Sequence, residues 1–132
     1  MGKYLLDTHI FLWWMSDAEQ LSQEVFNIIS DGSNQIYISS ATIWEIAIKE
    51  ALGKLEVDAD LNFAIEENGF LELKVSAVCA NATKKLEPIH RDPFDRMLIA
   101  QAIEMDMTLI TVDSYIPQYS NVKVLSFKKH KK

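Results

Sequence analysis

The chain has 132 residues, 48% of them hydrophobic, with four glycines, three prolines and no low-complexity stretch, which predicts one domain with a real core and argues against a disordered protein. Thirteen lysines and arginines stand against nineteen aspartates and glutamates, a formal net charge of −6, and four of the lysines fall in the last five residues; the remaining body is therefore strongly acidic and a poor general binder of phosphate backbones. No apolar run approaches the ~18 residues of a membrane span, the start Met-Gly-Lys-Tyr-Leu-Leu-Asp argues against a signal peptide, and the single Cys79 offers neither a disulfide framework nor a zinc cluster, so a cytoplasmic protein is expected.

Residues 3–6 are an apolar run predicted as the first strand, closed by Asp7, and Thr8 is placed to cap a helix over 9–15. Ile10, Phe11, Trp13 and Trp14 make that helix apolar nearly all round, as suits a core element or a subunit contact, while His9 reads as a packed or capping histidine. A second helix is predicted over 22–30, with Val25, Phe26, Ile28 and Ile29 on its apolar face and Asp31-Gly32-Ser33-Asn34 as its exit turn. Residues 36–39 follow as the second strand, and Ser40 is expected to cap a helix over 41–52 that stops at Gly53. Glu45 falls on its second turn among Ile43, Trp44, Ile46, Ala47 and Ile48, so it either escapes to solvent beside Lys49 or is buried for a reason.

The middle of the chain shows no evident chemistry: a helix over 61–68 ended by Gly69, a strand over 70–75, and a helix capped by Ser76 and running to residue 86. The stretch Pro-Ile-His-Arg-Asp-Pro-Phe-Asp-Arg-Met-Leu-Ile-Ala-Gln-Ala, residues 88–102, is more telling. Asp92 before Pro93 reads as an N-cap followed by proline at the first helical position, where its missing N–H costs nothing. Only Asp95, Arg96, Gln101 and Glu104 interrupt the apolar run over 94–105, which predicts a largely buried helix with Asp95 on its first turn. Taken alone, that acid has a structural explanation, since it complements the helix dipole, as Asp92 does while pairing with Arg96 four residues on. A strand over 108–112 then delivers Asp113, and a loop with Pro117 leads to a last strand over 122–125.

Strands alternating with helices predict an α/β fold with a mainly parallel sheet of about five strands flanked by helices, in which ligand sites lie outside the carboxyl ends of the strands. Asp7 and Asp113 end strands, and Glu45 and Asp95 lie in the opening turns of helices that begin near the same edge, so the four acids are able to converge. Two unit charges ~4 Å apart repel by about 4 kcal/mol at an effective dielectric of 20. A cluster of carboxylates therefore holds protons or binds a cation, and hard oxygen donors without paired cysteines select Mg²⁺ or Mn²⁺ over zinc. Such an ion takes few protein carboxylates together with substrate phosphate oxygens, which points to phosphodiester hydrolysis.

Four segments carry a resemblance: Leu5-Leu6-Asp7-Thr8-His9, Ser39-Ser40-Ala41-Thr42-Ile43-Trp44-Glu45-Ile46, the run from His90 to Ala102, and Leu109-Ile110-Thr111-Val112-Asp113. In their order and separation they resemble the PIN-domain ribonucleases, and among them the VapC-type toxins of bacterial toxin–antitoxin pairs. The resemblance implies a small three-layer α/β domain occupying residues 1–132, a site that binds Mg²⁺ or Mn²⁺ and cuts RNA, a homodimer, and an antitoxin that covers the acidic cleft. Carried over residue by residue, it implies that Asp7, Glu45, Asp95 and Asp113 are catalytic and hold metal; the mechanism expected makes Asp7 and Asp95 direct ligands, Asp113 a ligand directly or through water, and Glu45 a water-positioning group or second-metal ligand. Asp92 is read as a cap near the water or metal, and Thr111 and Thr8 as supports for the acids. Family members often carry an arginine between the threonine and the last acid; here Val112 stands in that place.

Other readings fare less well. A response-regulator receiver needs adjacent acids after its first strand and a lysine ending its last, but Asp7 stands alone and Asp113 occupies the basic position. A haloacid-type phosphatase needs an acid two residues after Asp7, where His9 lies. The remaining alternative is a PIN-like partner-binding module, for which Trp13, Trp14 and Trp44 are the motivating residues, although core packing accounts for them equally. The basic tail 128–132 reads as a solvated end.

Overall fold

Four of the predicted apolar runs, together with a shorter one in the middle, pair side by side in a single direction. The computed structural model describes residues 1–16 and 18–127, so the basic tail lies outside the described residues. Strands β1 (Lys3–Leu6), β2 (Gln35–Ser39), β3 (Leu71–Leu73), β4 (Thr108–Thr111) and β5 (Lys123–Ser126) form one parallel sheet in the order β3-β2-β1-β4-β5. The chain winds outward from β1 through β2 to β3, then returns to the other side of β1 for β4 and β5. A crevice therefore opens between the carboxyl ends of β1 and β4, where the winding direction reverses and loops diverge.

Helices α1 (Thr8–Ser16), α2 (Gln23–Ser30), α3 (Ser40–Ala51), α4 (Leu61–Glu67), α5 (Ala77–Ala82) and α6 (Pro93–Glu104) cover the sheet. Because successive strand side chains point to opposite faces, neighbours in β1 and β4 enter different cores. Leu6 and Ile110 join Ile10, Phe11, Val25, Ile46 and Phe70 in one, while Leu5 and Leu109 join Leu98, Ile99, Ala102 and Tyr119 in the other. This sets the three layers of the expected α/β architecture.

The helix starts differ from expectation in an instructive way. Asp7, not Thr8, caps α1, its Oδ1 accepting the Ile10 N–H at 2.9 Å. Ser39, not Ser40, caps α3 through the Ala41 N–H at 3.0 Å, which frees the Ser40 hydroxyl to accept from Val75 N–H at 3.1 Å. In both cases the cap is one residue ahead of the expected one, and Ser39, the last residue of its strand, already has the extended backbone an N-cap needs. The middle strand is shorter than its apolar run, ending at Leu73, and the helix after Ser76 gives way at Thr83–Lys85 to a 3-10 turn. No helix among the described residues is long and apolar enough to cross a membrane.

Candidate active site

The backbone N–H of Asp7 continues the β1–β4 ladder by donating to Ile110 O at 3.1 Å, so its side chain emerges at the edge of the crevice. Only 2% exposed, this carboxylate is held on both oxygens: Oδ1 by the α1 backbone and Oδ2 by the Thr111 hydroxyl, which donates to it in a short hydrogen bond. The same Thr111 oxygen accepts the Asp113 N–H at 2.9 Å. One threonine at the end of β4 thus joins the first and last acids. Asp113 Oδ1 in turn accepts from the N–H groups of Tyr115 and Ile116, at 2.7 and 3.2 Å, heading the 3-10 turn Ile116–Gln118. Burial pushes the Asp7 carboxyl above its ordinary range, the Thr111 and Ile10 donors pull it back, and the charge of Asp113 adds to the rise.

Glu45 takes the buried alternative and keeps Lys49 as its partner. It is buried, yet Lys49 reaches it from one turn along α3, with Nζ 2.7 Å from Oε2. Its other oxygen accepts the Thr8 hydroxyl at 2.6 Å, a bond available because Thr8 is not occupied as a cap. The hydrogen bond to Glu45 leads the causes that raise the Lys49 ammonium above its usual value, with smaller contributions from the charges of Asp92 and Asp95. His9, by contrast, is exposed, its ring beside Trp13 rather than packed in the core.

Asp95 faces the crevice from the first turn of α6. Asp92 caps that helix, its Oδ1 accepting from the N–H groups of Phe94 and Asp95 at 2.8 and 3.3 Å. The Asp95 carboxyl is pushed up to about 7, first by burial and then by the charges of Asp92, Asp7 and Asp113, with His90 acting in the opposite direction. Those contributions place the three other aspartates within electrostatic reach of Asp95.

Three residues not counted among the candidate site residues complete the site. His90 Nε2 lies 2.9 Å from Asp95 Oδ2 and 3.3 Å from Asp113 Oδ2. Arg96, expected to pair with Asp92, instead turns its guanidinium on the loop before α6, donating to the carbonyls of Thr83, Leu86, Glu87 and His90. A planar five-donor group satisfies several loop carbonyls at once, whereas Asp92 is already engaged by the helix N-terminus. Tyr119 adds its hydroxyl, which accepts from His90 N–H at 2.8 Å and from Arg96 at 3.3 Å. The signal for His90 and Arg96 was their place inside the motif from His90 to Ala102; nothing in the sequence tied Tyr119 to it.

A hard divalent cation suits this donor set. The carboxylates supply oxygen donors, and ligand atoms of His90, Asp95 and Asp113 lie within 4.8 Å of one another. A carboxyl group pushed up to about 7 by burial and by neighbouring carboxylates is also one that a cation would relieve.

A doubly wound parallel sheet with carboxylates on both sides of its switch-point crevice defines the class, a small α/β domain built around an acidic cleft. The chain belongs to the PIN domain family, whose match covers residues 4–122. Among solved structures it is similar in fold to VapBC2 from Rickettsia felis bound to a DNA fragment of its promoter, at TM-score 0.72 and 17% identity, over 96% of this chain and 99% of that one. DNA-bound VapBC from Salmonella typhimurium gives TM-score 0.65 and 19% identity, covering 96% and 98% of the two chains. FitAcB from Neisseria gonorrhoeae gives 0.61 and 18%, covering 92% and 95%. No curated protein sequence matches the chain significantly.

Proposed function

We propose that this protein is a divalent-metal-dependent endoribonuclease and the toxin of a toxin–antitoxin pair, acting as a single PIN domain in a homodimer. The observation that carries the reading is the convergence of Asp7, Asp95 and Asp113 on one crevice, with Glu45 at its side and only Lys49 and His90 in ionic contact with these acids among the described residues. Bound there, Mg²⁺ or Mn²⁺ would supply water activation and charge stabilisation for phosphodiester hydrolysis.

The residues of the chain divide the remaining work. Asp7, Asp95 and Asp113 would hold the cation, with Thr111 fixing Asp7 and the backbone of Asp113 in one geometry. Glu45, anchored by Thr8 and Lys49, orients the attacking water or a second ion, and its fixed partners keep it from swinging into the cation's place. Asp92 keeps the N-terminus of α6, and with it Asp95, aimed at the crevice.

An antitoxin partner is supported by the structural relatives, which are toxin–antitoxin complexes. It is supported too by a cavity of about 370 Å³ beside the crevice, lined by Ser40, Ala41, Trp44, Val75, Pro93, Phe94 and Met97. Trp44, 64% exposed and edge-on to Phe94 at 5.3 Å between ring centroids, offers an aromatic wall there for a partner's apolar side chain. The same feature is what a pure binding module would use.

Cleavage of a labelled RNA pool by partner-free protein, with Mg²⁺, Mn²⁺ or EDTA and with Asp95→Asn beside it, separates the two. Cutting that needs metal and disappears in the variant is the expected result. Absence of cutting by folded protein under either metal would move the assignment to the binding module.

A further inference from the structure

The gap between Asp95 and Asp113 already has an occupant. His90 lies in the loop before α6, and its backbone is pinned on both sides, its N–H by the Tyr119 hydroxyl at 2.8 Å and its carbonyl by Arg96 at 3.1 Å. Its ring lies against Tyr115, with centroids 4.9 Å apart, and places Nε2 between the two carboxylates, 2.9 and 3.3 Å from their Oδ2 atoms. Nδ1 faces the Asp92 N–H at 3.4 Å, a donor, so Nδ1 is the accepting nitrogen and the proton belongs on Nε2, aimed at the carboxylates.

This arrangement differs from that of a histidine ligand. A ligating imidazole presents a bare nitrogen to the ion and donates its other N–H to an acceptor behind it. His90 has the reverse, a donor behind and a proton in front. A cation held by the same two carboxylates would have to displace that N–H from them. Ring and ion therefore exclude each other. Because the backbone is held, release of the ring requires only side-chain rotation, and the side chain keeps 14% of its surface open to solvent.

We propose that His90 is a metal-competing residue: its imidazole occupies the cation position between Asp95 and Asp113, and the ion loads only when that ring swings out. The inference rests on the proposed metal-dependent reading of the site. It makes His90 a residue that sets metal affinity rather than a ligand, and it holds the cleft closed in metal-free protein without a partner.

The test is calorimetric titration of the full chain with Mn²⁺, comparing the parent with His90→Ala and Asp95→Asn, each checked for folding by thermal unfolding. Losing a charge-assisted hydrogen bond that the ion must break should tighten Mn²⁺ binding by about tenfold in His90→Ala. Equal or weaker binding in His90→Ala, with binding lost in Asp95→Asn, overturns this inference and leaves the proposed function standing. Binding indifferent to Asp95→Asn, or none by any chain, overturns both. A second readout needs no variant: in a diamagnetic Mg²⁺ titration of the parent, the His90 imidazole resonances should move from a carboxylate-bonded to a solvent-exposed position. Resonances that stay put, or that take the signature of a coordinated nitrogen, overturn the inference.

Discussion

The two sides of the crevice treat their carboxylates differently. On one side, Asp7 and Glu45 are deeply buried and each oxygen has a dedicated donor: the Ile10 N–H, the Thr111 and Thr8 hydroxyls, and the Lys49 ammonium. On the other, Asp95 and Asp113 remain 19% and 26% exposed at the side chain and share one imidazole. The first side is a finished hydrogen-bonded scaffold. On the second, burial first and then the charges of Asp92, Asp7 and Asp113 push the Asp95 carboxyl up to about 7. A site that binds a cation needs both: rigid acids that do not rearrange, and mobile charge demand that the ion alone satisfies.

The largest way to break that contrast is on the charge-deficient side. Asp95→Asn should lower metal-dependent RNA cleavage by about 10³-fold, on the scale of losing a principal electrostatic contact to the reacting groups, as read from initial rates at saturating Mn²⁺. Loss of less than about tenfold would place the chemistry elsewhere.

On the scaffold side, Thr111→Val keeps the shape of the side chain but removes the donor to Asp7 and the acceptor for the Asp113 N–H. Chemical denaturation should show a loss of about 2 kcal/mol, because a buried charged oxygen and a backbone donor are left unpaired. Unchanged stability would mean that the two acids are not tied through this hydroxyl.

The pH dependence of the metal-free protein sharpens the comparison further. Asp95 binds its proton more tightly folded than unfolded, so the stability it contributes is fully present below the ordinary carboxylate range and is lost as pH rises through about 7. Asp95→Asn stays uncharged throughout. Its melting temperature should match the parent's near pH 4 and exceed it by roughly 5 °C above pH 7. Coincident profiles would show that the charges around Asp95 do not repel it in the folded state.

The smallest effect is expected at Lys49→Met, which leaves Glu45 with Thr8 as its remaining side-chain partner. Since Lys49 is 44% exposed and water competes for it, a loss of about 1 kcal/mol is expected in the same denaturation assay. A cost several times larger would place Lys49 among the indispensable parts of the scaffold.

Strands and helices were largely legible because each carries a local signature: the apolar runs before Asp7 and Asp113, the proline at the start of α6, the serine cap at Ser76. Helix starts at Asp7 and Ser39 were misplaced by one residue, since Asp7–Thr8 and Ser39–Ser40 each offer two capping side chains and local sequence does not rank them. The rival hydroxyl in each pair went to a distant partner, Glu45 for Thr8 and Val75 for Ser40.

What the amino-acid sequence determined by itself was the alternation of strand and helix, and the delivery of Asp7, Glu45, Asp95 and Asp113 to strand ends and helix starts, since periodicity and capping act within a few residues. The β3-β2-β1-β4-β5 order, which sets Asp7 and Asp113 across one crevice, was decided only by tertiary structure. So were the turn of Arg96 from Asp92 to the loop carbonyls and the insertion of His90 between Asp95 and Asp113. A long side chain takes the partner that burial leaves unsatisfied, and which partner that is depends on chain segments far apart in sequence.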